Sequence, residues 1–468
     1  MRSPLRLVLG AAALVAAAPA QGLGCHDLGA IAPIQQAILA QYPLSGSSCL
    51  RLEQAGVTEY EAATGSFTLP QVVSIASATK TLSAAVLLSL VDTGLLSLDD
   101  TVGQYLPEWN FGARAAITLR MCFSHTAGLP PEAPSVGDGT ITLRQCAAQL
   151  ALVPLDYAPG TAFEYGGVSM QVAGAVCEVV SGLGWNTLFQ QRIATPLQMT
   201  ATDFGAFGSA TSPRIAGGAR SNLRDFAVFV EMLRAGGTWN GVSVLSAASV
   251  ATMLTDQTSG LPVIATPHPE NAPYGIGIWL DRRDSQGRTV LATAAGAFGF
   301  TGWVDRERDA TGVLVVLNHY PNMHPFVRQM QGECAAAQLP RGVACLGVGS
   351  PACAGEVWLN GTSAVTSGNA EFALLAARAP ANGVGAFVLG APLANGVALA
   401  DLLAFVDLGG AVLAGVTADA TGRAQLAAPL PAALAGQQFA VQSLWLSPAP
   451  CTALGLQAGH AVTLTVQP

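Results

Sequence analysis

Ser74-Ile75-Ala76-Ser77-Ala78-Thr79-Lys80 runs directly into the apolar stretch Leu82–Leu96. Ser77 and Lys80 stand three residues apart, a spacing that puts two side chains on one face of a helix. If a helix begins here, a hydroxyl and an amine lie side by side. A serine hydroxyl becomes a useful nucleophile only when an adjacent base takes its proton. A lysine can be that base only when burial or a neighbouring cation lowers its pKa.

Composition sharpens the point. Of the 21 basic side chains, Lys80 is the only lysine. Arginine replaces lysine in most surface roles but cannot release its proton in a protein. A chain that has otherwise abandoned lysine keeps one where a deprotonatable amine would be needed. The S-x-x-K pattern is common in long chains, so its surroundings must decide its meaning.

At 468 residues the chain exceeds one typical core, and two domains are expected. It is 51% hydrophobic and 11% charged with a formal net charge of −8, and no basic patch points to nucleic acid. Arg2 and Arg6, the apolar Leu7–Ala18 and the small-residue site Ala18-Pro19-Ala20 read as a secretory signal over residues 1–20. No later stretch reads as membrane-spanning. An exported chain with nine cysteines suggests disulfides with at least one thiol left over. The expected pairs are Cys25–Cys49 and Cys122–Cys146, with one or two bridges among Cys334, Cys345, Cys353 and Cys451. Cys177, in an apolar helical pattern, is expected to be a buried free thiol. The six histidines are scattered and show no metal-ligand spacing, so neither a metal nor a cofactor is expected.

Helices are expected at Ile31–Gln41, from Ser77 to about Asp92, and at Val168–Ser181, Leu223–Leu233 and Ser246–Leu254. Strands are expected at Cys49–Gly56, Tyr274–Leu280, Thr289–Ala292, Gly299–Trp303 and Gly312–Leu317. Helices set between an early strand and a late meander indicate an α+β domain over residues 21–342. From residue 343 the chain has almost no charge and shows short apolar runs broken by turns, such as Phe387–Leu389, Leu402–Val406, Phe439–Leu444 and Ala461–Val466. This reads as a small all-β sandwich, with Asn382-Gly383 and Asn395-Gly396 as hairpin turns.

Several further stretches are collinear with one family. Gly94–Pro107, Ile117-Thr-Leu-Arg120 with Ser124-His-Thr-Ala-Gly-Leu-Pro130, Pro159–Tyr165, and Arg220–Gly237 accompany Ser77-Ala-Thr-Lys80 in order. Over roughly residues 30–330 the chain resembles the β-lactamase-related serine hydrolases: class C β-lactamases, D-alanyl-D-alanine carboxypeptidases and esterases on the same fold. The resemblance implies the β-lactamase/transpeptidase-like fold, an antiparallel sheet flanked by helices with a helical subdomain. It implies Ser77 as acyl-accepting nucleophile, with Lys80 and Tyr165 as the general-base pair. An ammonium beside a phenol would lower the tyrosine pKa. The family's third motif corresponds to Ala294-Ala295-Gly296-Ala297, which makes the backbone N–H groups of Ser77 and Ala297 the oxyanion hole. Gly167, Gly296 and Phe298 become substrate-binding positions.

Two departures bear on substrate. The family's Y-x-N asparagine is Gly167 here, and its strand lysine is Ala294. Both losses weaken recognition of an anionic amide, so an ester is expected over a β-lactam or peptide, unless Arg282, Arg283 or Arg306 supplies a carboxylate anchor. The alternatives are a penicillin-binding peptidase or β-lactamase, and a catalytically silent binding protein on the same fold. A triad of Ser77, His125 and Asp305 is disfavoured, because the family places this histidine in a structural loop. Asp99, Asp100 and Glu164 read as turn or surface residues. For the C-terminal domain four roles stand open: attachment at a cell surface, sorting, binding of a protein partner, or covering an edge of the first domain.

Overall fold

The helix that follows Ser77 is buried on every side, from Thr79 to Leu90. A helix apolar all round belongs in the middle of a core, and the rest of its unit is arranged about it. The computed structural model describes residues 28–347, 357–399, 402–446 and 455–468. These fall into two compact units, one of residues 28–341 and one beginning at Gly342.

In the first unit α1 (Ile31–Gln41) precedes a hairpin of β1 (Ser48–Gln54) and β2 (Val57–Thr64). Then come α2 (Thr79–Asp92), α3 (Val168–Ser181) and α4 (Leu223–Arg234). The chain returns as β3 (Trp279–Arg283), β4 (Thr289–Ala295), β5 (Thr301–Asp305) and β6 (Ala310–Val316), followed by α5 (Tyr320–Ala337). The sheet order is β2-β1-β6-β5-β4-β3, antiparallel throughout. Strand periodicity of two divides its residues cleanly. Leu50, Leu52, Trp303, Leu314 and Val316 pack with α1 and α5. Cys49, Ala292, Val304, Val313 and Val315 face the core built around α2 and α4.

Polar side chains of α2 fix its position inside that core. The Thr81 hydroxyl donates to the Gly277 carbonyl at 2.7 Å, and the Ser83 hydroxyl to the Ile215 carbonyl at 2.6 Å. The Thr79 hydroxyl accepts the Ala219 N–H at 3.1 Å. Just upstream, Val73 and Ser74 pair with Ser221 and Arg220. The nucleophile segment is thus held from both ends by residues 215–221.

Most expected elements form within two or three residues of their sequence limits. β3 starts at Trp279 rather than Tyr274, because Gly277 takes a left-handed φ of +74° and breaks the extended run. Two of the elements named above go beyond the sequence reading. β2 is an edge strand whose exposed positions obscure its alternation. α5 carries Pro321 and Pro325, which argue against a helix, yet Pro321 occupies its tolerant first turn.

The cysteine pairing is corrected. Cys49, Cys122, Cys146, Cys177 and Cys334 are all free and buried. Cys122 and Cys146 pack as small apolar residues, and the Cys146 thiol is directed at the Ser135 carbonyl at 3.2 Å. The Cys49 thiol likewise donates to the Thr68 carbonyl, so the expected Cys25–Cys49 bridge does not form. Cys345 is disulfide-bonded. Residues 1–20, Cys25, Cys353 and Cys451 lie outside the described residues.

The C-terminal unit is sheet-rich. One sheet has five strands, with Gln438–Leu446 between Leu456–Thr465 and Val384–Gly390; a second has three, with Ala373–Ala377 in its middle. Asn382-Gly383 forms a turn, but the strands it joins, Ala373–Ala377 and Val384–Gly390, lie in different sheets; Asn395-Gly396 lies within the strand Pro392–Leu399, at a register shift, so neither is a hairpin tip. Among the described residues, no single helix is long and apolar enough to cross a membrane.

Thr81→Val keeps the shape of α2 but leaves the buried Gly277 carbonyl without its donor. We expect this to lower the unfolding free energy by about 1–3 kcal/mol in chemical denaturation. An unchanged midpoint would contradict the anchoring role.

Candidate active site

Ser77 sits on a tight turn, Ala76–Ala78, that feeds straight into α2. Ala76 holds a left-handed φ of +44°, a sparsely populated conformation for a residue with a Cβ. Strained backbone of this kind persists only where the surroundings impose it. The neighbouring strand end is one such constraint. A Cβ on Gly296 would lie 2.1 Å from the Ile75 carbonyl oxygen. The strand end therefore rests directly on the nucleophile turn, and glycine is required there by the protein's own backbone.

Lys80 Nζ lies 3.3 Å from Ser77 Oγ and donates to the Ala216 carbonyl at 3.0 Å. The side chain is buried, and desolvation is the main reason its pKa falls from 10.5 to about 7. Two charges act weakly on it with opposite sign: Glu132 favours the ammonium and Arg214 disfavours it. These two form their own ion pair at 3.2 Å.

Tyr165 reaches the same point from the segment before α3. It is hydrogen-bonded to Ser77, and Lys80 Nζ stands 4.6 Å from its ring centroid. Trp279 stacks on the phenol ring at 5.1 Å and an interplanar angle of 19°, and His125 lies 4.6 Å away. The electrostatics differ from the sequence expectation. Burial pushes the phenol up, well above its ordinary value, and the Ser77 hydrogen bond only partly opposes it. The protonation pattern favoured by burial is a neutral amine beside a neutral phenol.

A cavity of about 500 Å³ opens over the serine. Ser77, Tyr165, Gly296 and Ala297 line it as expected; Gly167 and Phe298 are not among its lining residues. Phe298 packs toward Phe207, at 6.3 Å between centroids. Gly167 is buried, where an added Cβ would meet the Ala216 Cβ at 3.5 Å. Ala294 faces the core, whereas the next residue, Ala295, lines the cavity. The remaining wall comes from residues 265–268, from Trp279, and from His319-Tyr320-Pro321 at the start of α5. Sequence reasoning missed this wall, since its residues carry no motif and part of it rests on the unrecognised helix.

The other candidates are committed elsewhere. His125 is buried with a left-handed φ of +58°, and neither ring nitrogen has a hydrogen-bond partner. Asp305 accepts the N–H groups of Glu307 and Arg308 and pairs with Arg308, so no triad forms. Arg282 pairs with Glu307 and Arg283 with Asp256, while Arg306 donates to the Thr289 carbonyl. None of the three lines the cavity. Asp99 pairs with Arg120, and Asp100 accepts the Tyr105 hydroxyl. Among the described residues no cluster of His, Cys, Asp and Glu is arranged to hold a metal.

Residues 53–336 match the Beta-lactamase family. The chain belongs to that family. Its members are serine hydrolases, and both esterases and carboxypeptidases occur among the relatives. Lovastatin esterase of Penicillium rubens is 26% identical over 365 residues, covering 59% of this chain and 90% of that protein. The D-alanyl-D-alanine-carboxypeptidase/endopeptidase AmpH of Escherichia coli K12 is 31% identical over 147 residues, covering 29% of this chain and 37% of AmpH. Among solved structures, a candidate beta-lactamase from Bacteroides dorei has a TM-score of 0.60 at 27% identity, over 65% of this chain and 98% of its own. A family VIII carboxylesterase has a TM-score of 0.55 at 19% identity, over 65% and 95%, and shows the shared fold.

If neutral Lys80 accepts the serine proton, activity must be lost as the amine protonates. We expect kcat/KM to rise with pH, with its acid limb near pH 7. Glu132→Gln removes a charge that favours the ammonium and should move the limb to lower pH; Arg214→Gln should move it higher. Both side chains are partly exposed, so the shifts will be modest and shrink with salt. Shifts in the opposite directions would contradict the assignment.

Proposed function

We propose that this protein is an exported serine hydrolase that forms an acyl-enzyme on Ser77, with esters as its substrates. The observation that carries the reading is the 3.3 Å approach of a buried lysine amine, its pKa lowered by desolvation to about 7, to the Ser77 hydroxyl. Export rests on the sequence of residues 1–20.

Neutral Lys80 takes the Ser77 proton as the oxygen attacks the ester carbonyl. The tetrahedral oxyanion is received by the N–H groups of Ser77 and Ala297, donors that need no reorganisation. The resulting ammonium, through the neutral Tyr165 hydroxyl, returns the proton to the departing alkoxide. Water then attacks the acyl carbonyl while the Lys80 amine takes its proton, the Tyr165 hydroxyl relaying it; the ammonium returns that proton to Ser77 Oγ as the bond between Oγ and the acyl carbon breaks, and the acyl group leaves as a carboxylic acid.

Ester rather than amide is favoured by what surrounds the serine. No lysine or arginine lines the cavity, and the position of an amide-binding asparagine is Gly167. The similarity to a lovastatin esterase over 90% of its length agrees with this. The shorter similarity to AmpH keeps peptide substrates as the competing reading.

The test is hydrolysis of short-chain p-nitrophenyl esters and of a chromogenic cephalosporin by the wild type, Ser77→Ala and Lys80→Met. We expect ester turnover that Ser77→Ala abolishes, a loss of about 10²–10⁴ in Lys80→Met, and little cephalosporin cleavage. Cephalosporin turnover comparable to ester turnover would overturn the substrate assignment.

A further inference from the structure

One group of ionisable residues lies directly behind the cavity wall and takes no part in the chemistry above. His268 lines the cavity, with its side chain fully buried. Its Nδ1 accepts the backbone N–H of Glu270 at 3.2 Å and of Ala272 at 3.4 Å. The ring proton is therefore on Nε2, which lies 3.1 Å from Asp281 Oδ1. Both nitrogens are committed, so His268 has none free to act as a base toward Ser77. It lies tilted against Trp279, at 4.9 Å between ring centroids, and Trp279 in turn stacks on Tyr165.

Asp281 is almost completely buried and also accepts the Thr293 hydroxyl. Its counter-ion is Arg328 of α5, with Nη1 at 3.0 Å. The same guanidinium reaches Glu270, with Nε 3.1 Å from Oε1. Arg328 thereby ties the 265–272 segment to α5, joining the two pieces of chain that build the wall opposite Gly296. His324 approaches Glu270 at 3.7 Å, and burial with the Arg328 charge lowers its pKa, keeping it neutral.

The charges in this cluster do not balance. Two carboxylates, Asp281 and Glu270, face a single guanidinium. The lining residues themselves carry no acidic or basic group other than histidine, and most of the lining is apolar. A carboxylate in the cavity would meet no lysine or arginine among the lining residues and would feel one net negative charge behind the wall. The size of the cavity suits a drug-sized ligand rather than an acetyl group alone.

We propose that the Asp281–Arg328–Glu270 cluster behind the His268 wall makes the cavity selective for uncharged esters with bulky acyl groups over anionic ones. This rests on the acyl-enzyme reading of Ser77. Asp281, Arg328 and Glu270 act as positioning and charge-setting residues; none touches the reacting atoms.

The test compares kcat/KM for p-nitrophenyl acetate, p-nitrophenyl phenylacetate and mono-p-nitrophenyl glutarate, which share one leaving group. The wild type should prefer phenylacetate to acetate, through a lower KM, and to glutarate by at least about tenfold. Glu270→Gln removes one carboxylate and should narrow the phenylacetate-to-glutarate ratio. Arg328→Gln removes the cation and should widen it. A purely structural role would move both ratios the same way, and that result would overturn the proposal. Equal turnover of glutarate and phenylacetate by the wild type would also overturn it. Should Arg328→Gln fail to fold, the half-exposed Glu270→Gln decides alone. Turnover that survives in Ser77→Ala would instead sink the acyl-enzyme reading, and the selectivity with it.

Discussion

Removing the Lys80 amine from water is the constraint on which the site depends. An ammonium in a fully buried position loses its hydration, and only the Ala216 carbonyl and the Ser77 hydroxyl replace it. Releasing the proton is the less costly state, and a neutral amine at hydrogen-bond distance from a serine is a base. Everything that keeps α2 buried also keeps that amine neutral. The Thr81 and Ser83 hydroxyls, the Ala219 contact and the close fit of Gly296 on the Ile75 carbonyl serve one geometric end.

The same desolvation acts on Tyr165 with the opposite consequence. Burial favours the neutral form of both groups: it lowers the amine and raises the phenol. Sequence reasoning, which assumed a charged lysine, reached the reverse protonation pattern. The aromatic surroundings of the phenol, with Trp279 stacked on it and His125 against it, are the physical cause. They could not be inferred from motif spacing, since these residues are far apart in the chain.

The sequence was most informative where periodicity and chemistry agreed. Ser77, Lys80 and Tyr165 were legible because local spacing and an ordered series of family-like stretches marked them, and the structure brings them together. α1 and α3 were legible because clear apolar patterns run between turn signals, Gly182 closing α3 with a left-handed φ of +68°. α5 was obscured by its two prolines, and with it the wall formed by His319, Tyr320 and Pro321. Cys49, Cys122 and Cys146 misled because a signal-like N-terminus invites pairing, whereas they are buried as free thiols; Cys177 is buried and free as its apolar pattern indicated. Gly167 and Ala294 both stand outside the lining of the cavity, whose wall is assembled from residues that carry no motif.

The uniqueness of Lys80 makes the central claim directly measurable. With lysine labelled at Cε, the folded protein should give a single lysine resonance whose pH titration reports this amine and no other. The account predicts a midpoint near pH 7, shifted to the ordinary lysine range on unfolding. A midpoint near 10.5 in the folded protein would mean that Lys80 is an ammonium at neutral pH, and the base assigned to Ser77 would be wrong.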